Sequence, residues 1–127
     1  MKVKIYYHHT DCGGVVYYAR YLEFLEEART EFFTAKGIDL KKLSEQGRFF
    51  VVARQEVDYK SPAHYGDILE INTRLNAVKG VQVDLSHQIK NESAVTIIEA
   101  RTVLAFVDKE FKPCRIPEDI RKKIESA

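Results

Sequence analysis

Residues 6–36 read YYHHTDCGGVVYYARYLEFLEEARTEFFTAK, and this stretch decides the fold. Its second half is helical by spacing. At about 100° per residue, Tyr21, Phe24, Leu25, Ala28, Phe32 and Ala35 share one side, and Leu22 and Phe33 widen that arc. Glu23, Glu26, Glu27, Thr30, Glu31 and Thr34 fill the other side. An apolar arc covering roughly half the circumference is broader than the stripe of a surface helix, so the helix should be wrapped rather than laid on a flat surface. Lys36 and Gly37 supply the stop, a cation in the last turn followed by a residue tolerant of a left-handed cap. Arg29 falls at the edge of the apolar arc, where a snorkelling stem or a pair with Glu26 accounts for it.

Ahead of the helix lies a short polar loop, His9-Thr10-Asp11-Cys12-Gly13-Gly14, running into Val15-Val16-Tyr17-Tyr18. It sets one carboxylate, Asp11, beside two glycines and close to a helix start. Glycine lets the backbone turn tightly and approach a ligand, and a helix start offers unclaimed N–H groups and a partial positive charge. A carboxylate beside such donors can attack, or activate water against, a carbonyl that the donors polarise. Asp11 as a simple turn or helix cap is the competing reading of the spacing alone.

Outward from this core the period changes to two. Residues 2–8 read as a first strand with Val3, Ile5 and Tyr7 on one face. Residues 38–48 read as a loop with a helical turn. From Phe49 the alternation places Phe49, Val51, Ala53, Gln55, Val57 and Tyr59 on one face until Ser61-Pro62-Ala63 breaks the ladder. Residues 68–77 alternate with Leu69, Ile71, Thr73 and Leu75 inward, and Lys79-Gly80 signals a turn. Val81, Val83, Leu85, His87 and Ile89 then share a face, and Asn91-Glu92-Ser93 turns the chain again. Residues 94–107 are apolar on both faces apart from Glu99 and Arg101, as suits a central strand, with Val95, Ile97, Val103 and Ala105 outward by parity. Pro117 opens a short helix over 118–126. One curled, mostly antiparallel sheet around one broadly apolar helix makes an α+β domain spanning residues 1–127.

Composition narrows the function. Lys plus Arg is 20 against 19 for Asp plus Glu, so no global field draws in nucleic acid or an anionic membrane. The apolar runs are too short for membrane insertion, and the first residues do not read as a signal peptide. Two cysteines, Cys12 and Cys114, make no disulfide framework, which fits a reducing cytoplasm. His8, His9, Asp11 and Cys12 superficially suggest a metal cluster, but neighbours on a strand diverge and no second ligand group follows at a recognisable spacing. No metal and no cofactor is expected. Neither a G-x-S-x-G elbow nor a phosphate-binding glycine loop occurs. His87, alone on an apolar face, reads as a hydrogen-bonded core histidine, and Cys114, after Pro113, as structural.

The order Tyr6-Tyr7-x-x-Thr10-Asp11-x-Gly13-Gly14-Val15-Val16-Tyr17-x-Ala19-x-Tyr21, followed by Glu26-x-Ala28-Arg29-x-Glu31, resembles the signature of hotdog-fold acyl-CoA thioesterases. It is most similar to the YbgC-type branch of the 4-hydroxybenzoyl-CoA thioesterase family. Phe50-Val51-Val52, Tyr59-x-x-Pro62-Ala63 and Asp67-x-Leu69-x-Ile71 extend the resemblance over nearly the whole chain. The resemblance implies a hotdog: a long central helix wrapped by a five-stranded antiparallel sheet, assembled as a homodimer or homotetramer with active sites at the dimer seam. It implies hydrolysis of acyl-CoA to a carboxylic acid and coenzyme A, so that coenzyme A enters only as part of the substrate; acyl carrier protein is the other candidate donor. By this resemblance Asp11 is nucleophile or general base, the backbone N–H of Tyr18 polarises the thioester carbonyl, and Tyr7 is a site tyrosine. Gly13 and Gly14 make room for the thioester, while Val15, Val16, Tyr17, Phe49, Phe50 and Val51 are candidates for the acyl pocket. Coenzyme A phosphates call for basic residues, with Lys60, Arg54, Lys79, Arg101, Lys112 and Arg115 as candidates. Two positions depart from the YbgC branch, which commonly has Asp where His9 stands and His where Tyr18 stands; the other branch carries an aromatic residue at the Tyr18 position. These departures motivate an alternative, a non-hydrolytic module that binds acyl-CoA or acyl carrier protein.

Overall fold

A computed structural model describes all of residues 1–127. The elements in order are β1 (Lys2–Lys4), a 3-10 turn (Tyr7–His9), α1 (Arg20–Ala35), α2 (Leu40–Glu45), β2 (Arg48–Tyr59), β3 (Ile68–Lys79), β4 (Gln82–Asn91), β5 (Thr96–Asp108) and α3 (Glu118–Glu125). The five strands form one sheet in the order β1-β3-β4-β5-β2, every neighbouring pair antiparallel. Its inner face curls around α1, giving the expected hotdog. The β3–β4 connection turns at Gly80, whose φ of 57° lies in the left-handed region that glycine tolerates. β5, apolar on both faces, lies between β4 and β2 as its sequence requires.

The inner face carries two separate apolar clusters. In the first, Tyr21, Phe24, Leu25 and Ala28 of α1 pack on Ile5, Leu69, Ile71, Ile89, Ile98 and Ala100. In the second, Phe33 packs on Val83, Leu85, Leu104 and Phe106. Ile116, Ile120 and Ile124 close that end, the last two on one face of α3. α3 starts at Pro117, with Glu118 and Asp119 in its first turn and Lys122 and Lys123 in its last, a charge order that complements the helix dipole. Between the clusters runs a polar belt. Thr102 Oγ1 donates to Gln55 Oε1 at 2.8 Å, and Thr73 Oγ1 lies 3.0 Å from His87 Nδ1. His87 is buried, as its position on β4 predicts, but its Nε2 has no partner.

Four details differ from the periodic reading. β1 ends at Lys4, and Tyr7 stands in the 3-10 turn, 76% exposed, instead of facing the core. In β2 a bulge between Val52 and Arg54 inserts Ala53, and a one-residue slip exchanges the faces of a strand. Gln55 and Val57 therefore face inward as expected, whereas in the first half it is Phe50, not Phe49 or Val51, that enters the core, stacked on Phe33 at 4.9 Å. A second bulge, between Leu75 and Ala77, turns Val78 inward at the end of β3. The register also shifts between Ile89 and Lys90, where both Ile97 and Ile98 become fully buried; Ile97 belongs to the core and not to the outer face.

Candidate active site

The loop before α1 is a small hairpin. The Asp11 N–H donates to the Val15 carbonyl at 2.9 Å, and Thr10 bridges Val16. The Val16 N–H reaches the Ala63 carbonyl at 2.8 Å, and Val15 bridges His64, so the hairpin is sewn to the β2–β3 connection. At its tip the Gly14 N–H donates to the Asp11 carbonyl at 3.0 Å, with φ at Gly14 of 78°. The Gly13 N–H donates to Asp11 Oδ1 at 2.8 Å, which leaves the second carboxylate oxygen free of partners in the chain. A Cβ on Gly13 would stand 3.2 Å from Oδ1, closer than most side-chain contacts. Asp11 thus caps its own loop, and the competing helix-cap role goes unfilled.

α1 begins without a side-chain cap, because its N-cap position is Ala19, among the poorest residues there. Just ahead of the first turn, the N–H groups of Tyr18 and Ala19 also find no acceptor in the chain. The Tyr17 phenol is raised above its ordinary pKa chiefly by the adjacent Tyr18 phenol, with the negative charge of Asp11 the least of the causes. The hairpin that carries Asp11 runs directly into α1, since the Tyr17 N–H closes it on the His9 carbonyl at 2.9 Å.

His9 takes a structural part. Its Nδ1 accepts the Tyr6 N–H at 2.9 Å, its carbonyl accepts the Tyr17 N–H at 2.9 Å, and its ring meets Phe24 edge-on at 5.2 Å. Burial first, then the charges of His8 and Arg20, lower its pKa, which keeps Nδ1 an acceptor. An aspartate here would offer Tyr6 the same kind of acceptor. Because residues 7–9 form a turn, the rings of His8 and His9 come together at 4.1 Å instead of diverging as strand neighbours would, yet no group of three metal-ligating side chains gathers there or elsewhere.

The predicted residues do not all meet within one chain. Val16, Tyr18 and Lys60 line a groove of about 350 Å³ together with Tyr21, Tyr59, Ser61 and Pro62. Gly13, Gly14, Val15 and Tyr17 belong to the hairpin beside it. Tyr7 packs edge-on against Tyr65 at 5.9 Å at the hairpin's base. Phe50 and Val51 lie near the other end of β2; nine residues of strand from Phe50 to Tyr59 span roughly 30 Å. Of the basic candidates, Arg101 is held by Asp84 at 2.6 Å, Arg54 by Glu56 at 2.6 Å and Lys112 by Glu110 at 3.8 Å. Lys60 alone of the six lines the groove. A larger hollow of about 500 Å³ lies on the outer sheet face, lined by polar side chains such as Glu56, Asp58, Arg74 and Glu99 and by none of the predicted catalytic residues. Tyr21 and Tyr59 carry no role in the sequence reading: periodicity assigned one to the helix core and the other to a strand face, and only the fold joins them.

A profile described as the thioesterase-like superfamily matches residues 6–124. The chain belongs to the thioesterase-like superfamily. Acyl-CoA thioester hydrolase YbgC of Escherichia coli O6:H1 is 35% identical over 119 residues, covering 93% of this chain and 89% of that protein. Acyl-CoA thioesterase YbgC of Haemophilus influenzae is 37% identical over 121 residues, covering 94% and 88%. The crystal structure of Slr0204, a 1,4-dihydroxy-2-naphthoyl-CoA thioesterase from Synechocystis, superposes with a TM-score of 0.90 at 24% identity, over 98% of this chain and 93% of that one, which bears on the fold. Within the superfamily the hotdog architecture and the YbgC-type likeness thus both hold.

Proposed function

We propose that the protein is an acyl-CoA thioester hydrolase, releasing a carboxylic acid and free coenzyme A. The observation that carries this is the Asp11 carboxylate, pinned by the Gly13 N–H at 2.8 Å in a hairpin that runs into α1, whose entrance leaves the Tyr18 and Ala19 amides unclaimed. The thioester carbonyl oxygen takes the Tyr18 N–H, and its carbon becomes more electrophilic. As general base, Asp11 removes a proton from water as the hydroxide adds to that carbon; the C–S bond then breaks and the thiolate takes up a proton. As nucleophile, a carboxylate oxygen adds directly, the C–S bond breaks to give a mixed anhydride, and water opens it. Single-turnover hydrolysis in oxygen-18 water separates the routes, since label enters Asp11 only in the second. The proposed reaction calls on no metal and no cofactor.

Lys60 at the groove's rim suits the phosphates of the thiol carrier, whether coenzyme A or acyl carrier protein. Two free cysteines, Cys12 exposed, suit a cytoplasmic setting. The two sheet edges support pairing of copies: β1 offers three residues, whereas the twelve of β2 bond to β5 on one side only. A long free edge is a template for another strand. Two β2 strands meeting antiparallel would lay the Phe50 and Val51 end of one copy beside the Tyr59 end of the other, completing the acyl pocket in a homodimer or a tetramer of two such pairs. Sedimentation should then show no monomer at micromolar concentration.

The test is thiol release from acetyl-, medium-chain, long-chain and aromatic acyl-CoA esters. Hydrolysis by the wild-type chain, abolished in Asp11→Asn with binding retained, is the expected result. Near-normal hydrolysis in that variant overturns the assignment of Asp11, and binding without thiol release across the panel favours the non-hydrolytic module.

A further inference from the structure

The helix entrance is held in an unusual way. The Leu22 N–H donates to the Ala19 carbonyl at 3.2 Å and the Arg20 N–H to the Tyr17 carbonyl at 2.9 Å, so the Tyr18 carbonyl between them receives no backbone hydrogen bond. Its partner is a side chain forty-one residues away: Tyr59 Oη donates to it at 3.2 Å. The Tyr59 ring is fixed in turn, edge-on to Tyr18 at 6.3 Å and to Tyr21 at 5.9 Å. A peptide group is planar, with its C=O and N–H opposed. Holding the Tyr18 carbonyl therefore sets the direction of the Ala19 N–H, the amide next after the one assigned to the thioester oxygen.

We propose that Tyr59 is a positioning residue for hydrolysis: its hydroxyl locks the Tyr18–Ala19 peptide so that the Tyr18 and Ala19 N–H groups act as a fixed pair of donors at the carbonyl oxygen. The inference rests on the thioesterase reading above. Donors preset toward the place where charge develops cost no reorganisation during reaction, so loosening them affects turnover more than binding. No loop residue can replace the phenol, because neither neighbouring amide turns to that carbonyl.

Tyr59→Phe keeps the ring and deletes one oxygen. With the best ester of the panel, kcat should fall about tenfold, near the value of one modest hydrogen bond, while KM stays within about twofold and Tm is unchanged. In the unliganded protein the Ala19 amide should exchange with deuterium faster in Tyr59→Phe than in wild type, a readout independent of turnover. Wild-type kcat in the variant, an unaltered Ala19 exchange rate, or a loss of kcat matched by a loss of Tm each overturns the proposal. If the wild type hydrolyses and Asp11→Asn does not while Tyr59→Phe equals wild type, only the role of Tyr59 falls. A wild type that releases no thiol brings down the reading beneath it.

Discussion

The two apolar clusters share one helix and one sheet yet are finished in different materials. The one under the last turns of α1 is mainly Phe, Ile, Leu and Val, with Phe50 stacked on Phe33 and tilted against Phe106, and α3 packs over it. The one under the first turns is rimmed by Tyr18, Tyr21 and Tyr59, and it borders a helix entrance with no cap and no lid. One end is closed by buried apolar contact, while the other leaves amides without acceptors and phenols at a groove. The polar belt of Thr73, His87, Thr102 and Gln55 separates them.

If that division is right, the two ends should fail differently. The largest effect is expected from Phe106→Ala, which deletes a fully buried ring and should cost about 3–5 kcal/mol. The midpoint of thermal melting should drop by roughly 10 °C or more, while kcat per folded molecule holds. Asp11→Asn should do the reverse: at least about a hundredfold loss of kcat, equivalent to about 2.7 kcal/mol of barrier, with the melting midpoint nearly unmoved. The belt gives a third signature. Burial, helped by the Arg29 charge, depresses the pKa of His87 to about 4 from 6.5. Above the higher value the imidazole is neutral in both states. As pH falls from 6.5 toward 4 the unfolded chain binds a proton that the fold refuses, so stability declines by about 1.4 kcal/mol per pH unit and levels off below the folded value. His87→Leu should flatten denaturation midpoints over that window; an unchanged slope would place the acid sensitivity elsewhere. The smallest effect is expected from Gly13→Ala. Its Cβ crowds Asp11 Oδ1 at 3.2 Å, so kcat should fall several-fold while stability changes by less than about 1 kcal/mol.

Much of this division could be read from the residues alone. The wide arc on α1, the alternation of β4 and the two-sided β5 fix the hotdog because each period admits one partner surface. The Asp11 loop could be read too, since its residues are contiguous. What stayed hidden depends on slips of register and on distance along the chain. Alternation cannot report a bulge, so Phe50 is misassigned to the outer face and Ile97 with it. Nor can it report that a strand-end tyrosine meets a helix entrance, because residues 18 and 59 share no local pattern. The His9 departure becomes intelligible once the Tyr6 amide is seen to need only an acceptor.

The inserted residue at Ala53 also limits how this chain can vary. Removing it would restore an even count and swing Phe50 from between Phe33 and Phe106 out into water, while the Tyr59 end kept its place. Lineages derived from this sequence should therefore change length in the turns between strands and hold β2 at a constant count, since one deletion there would pull an aromatic ring out of the far end of the molecule and turn over every side chain on that half of the strand.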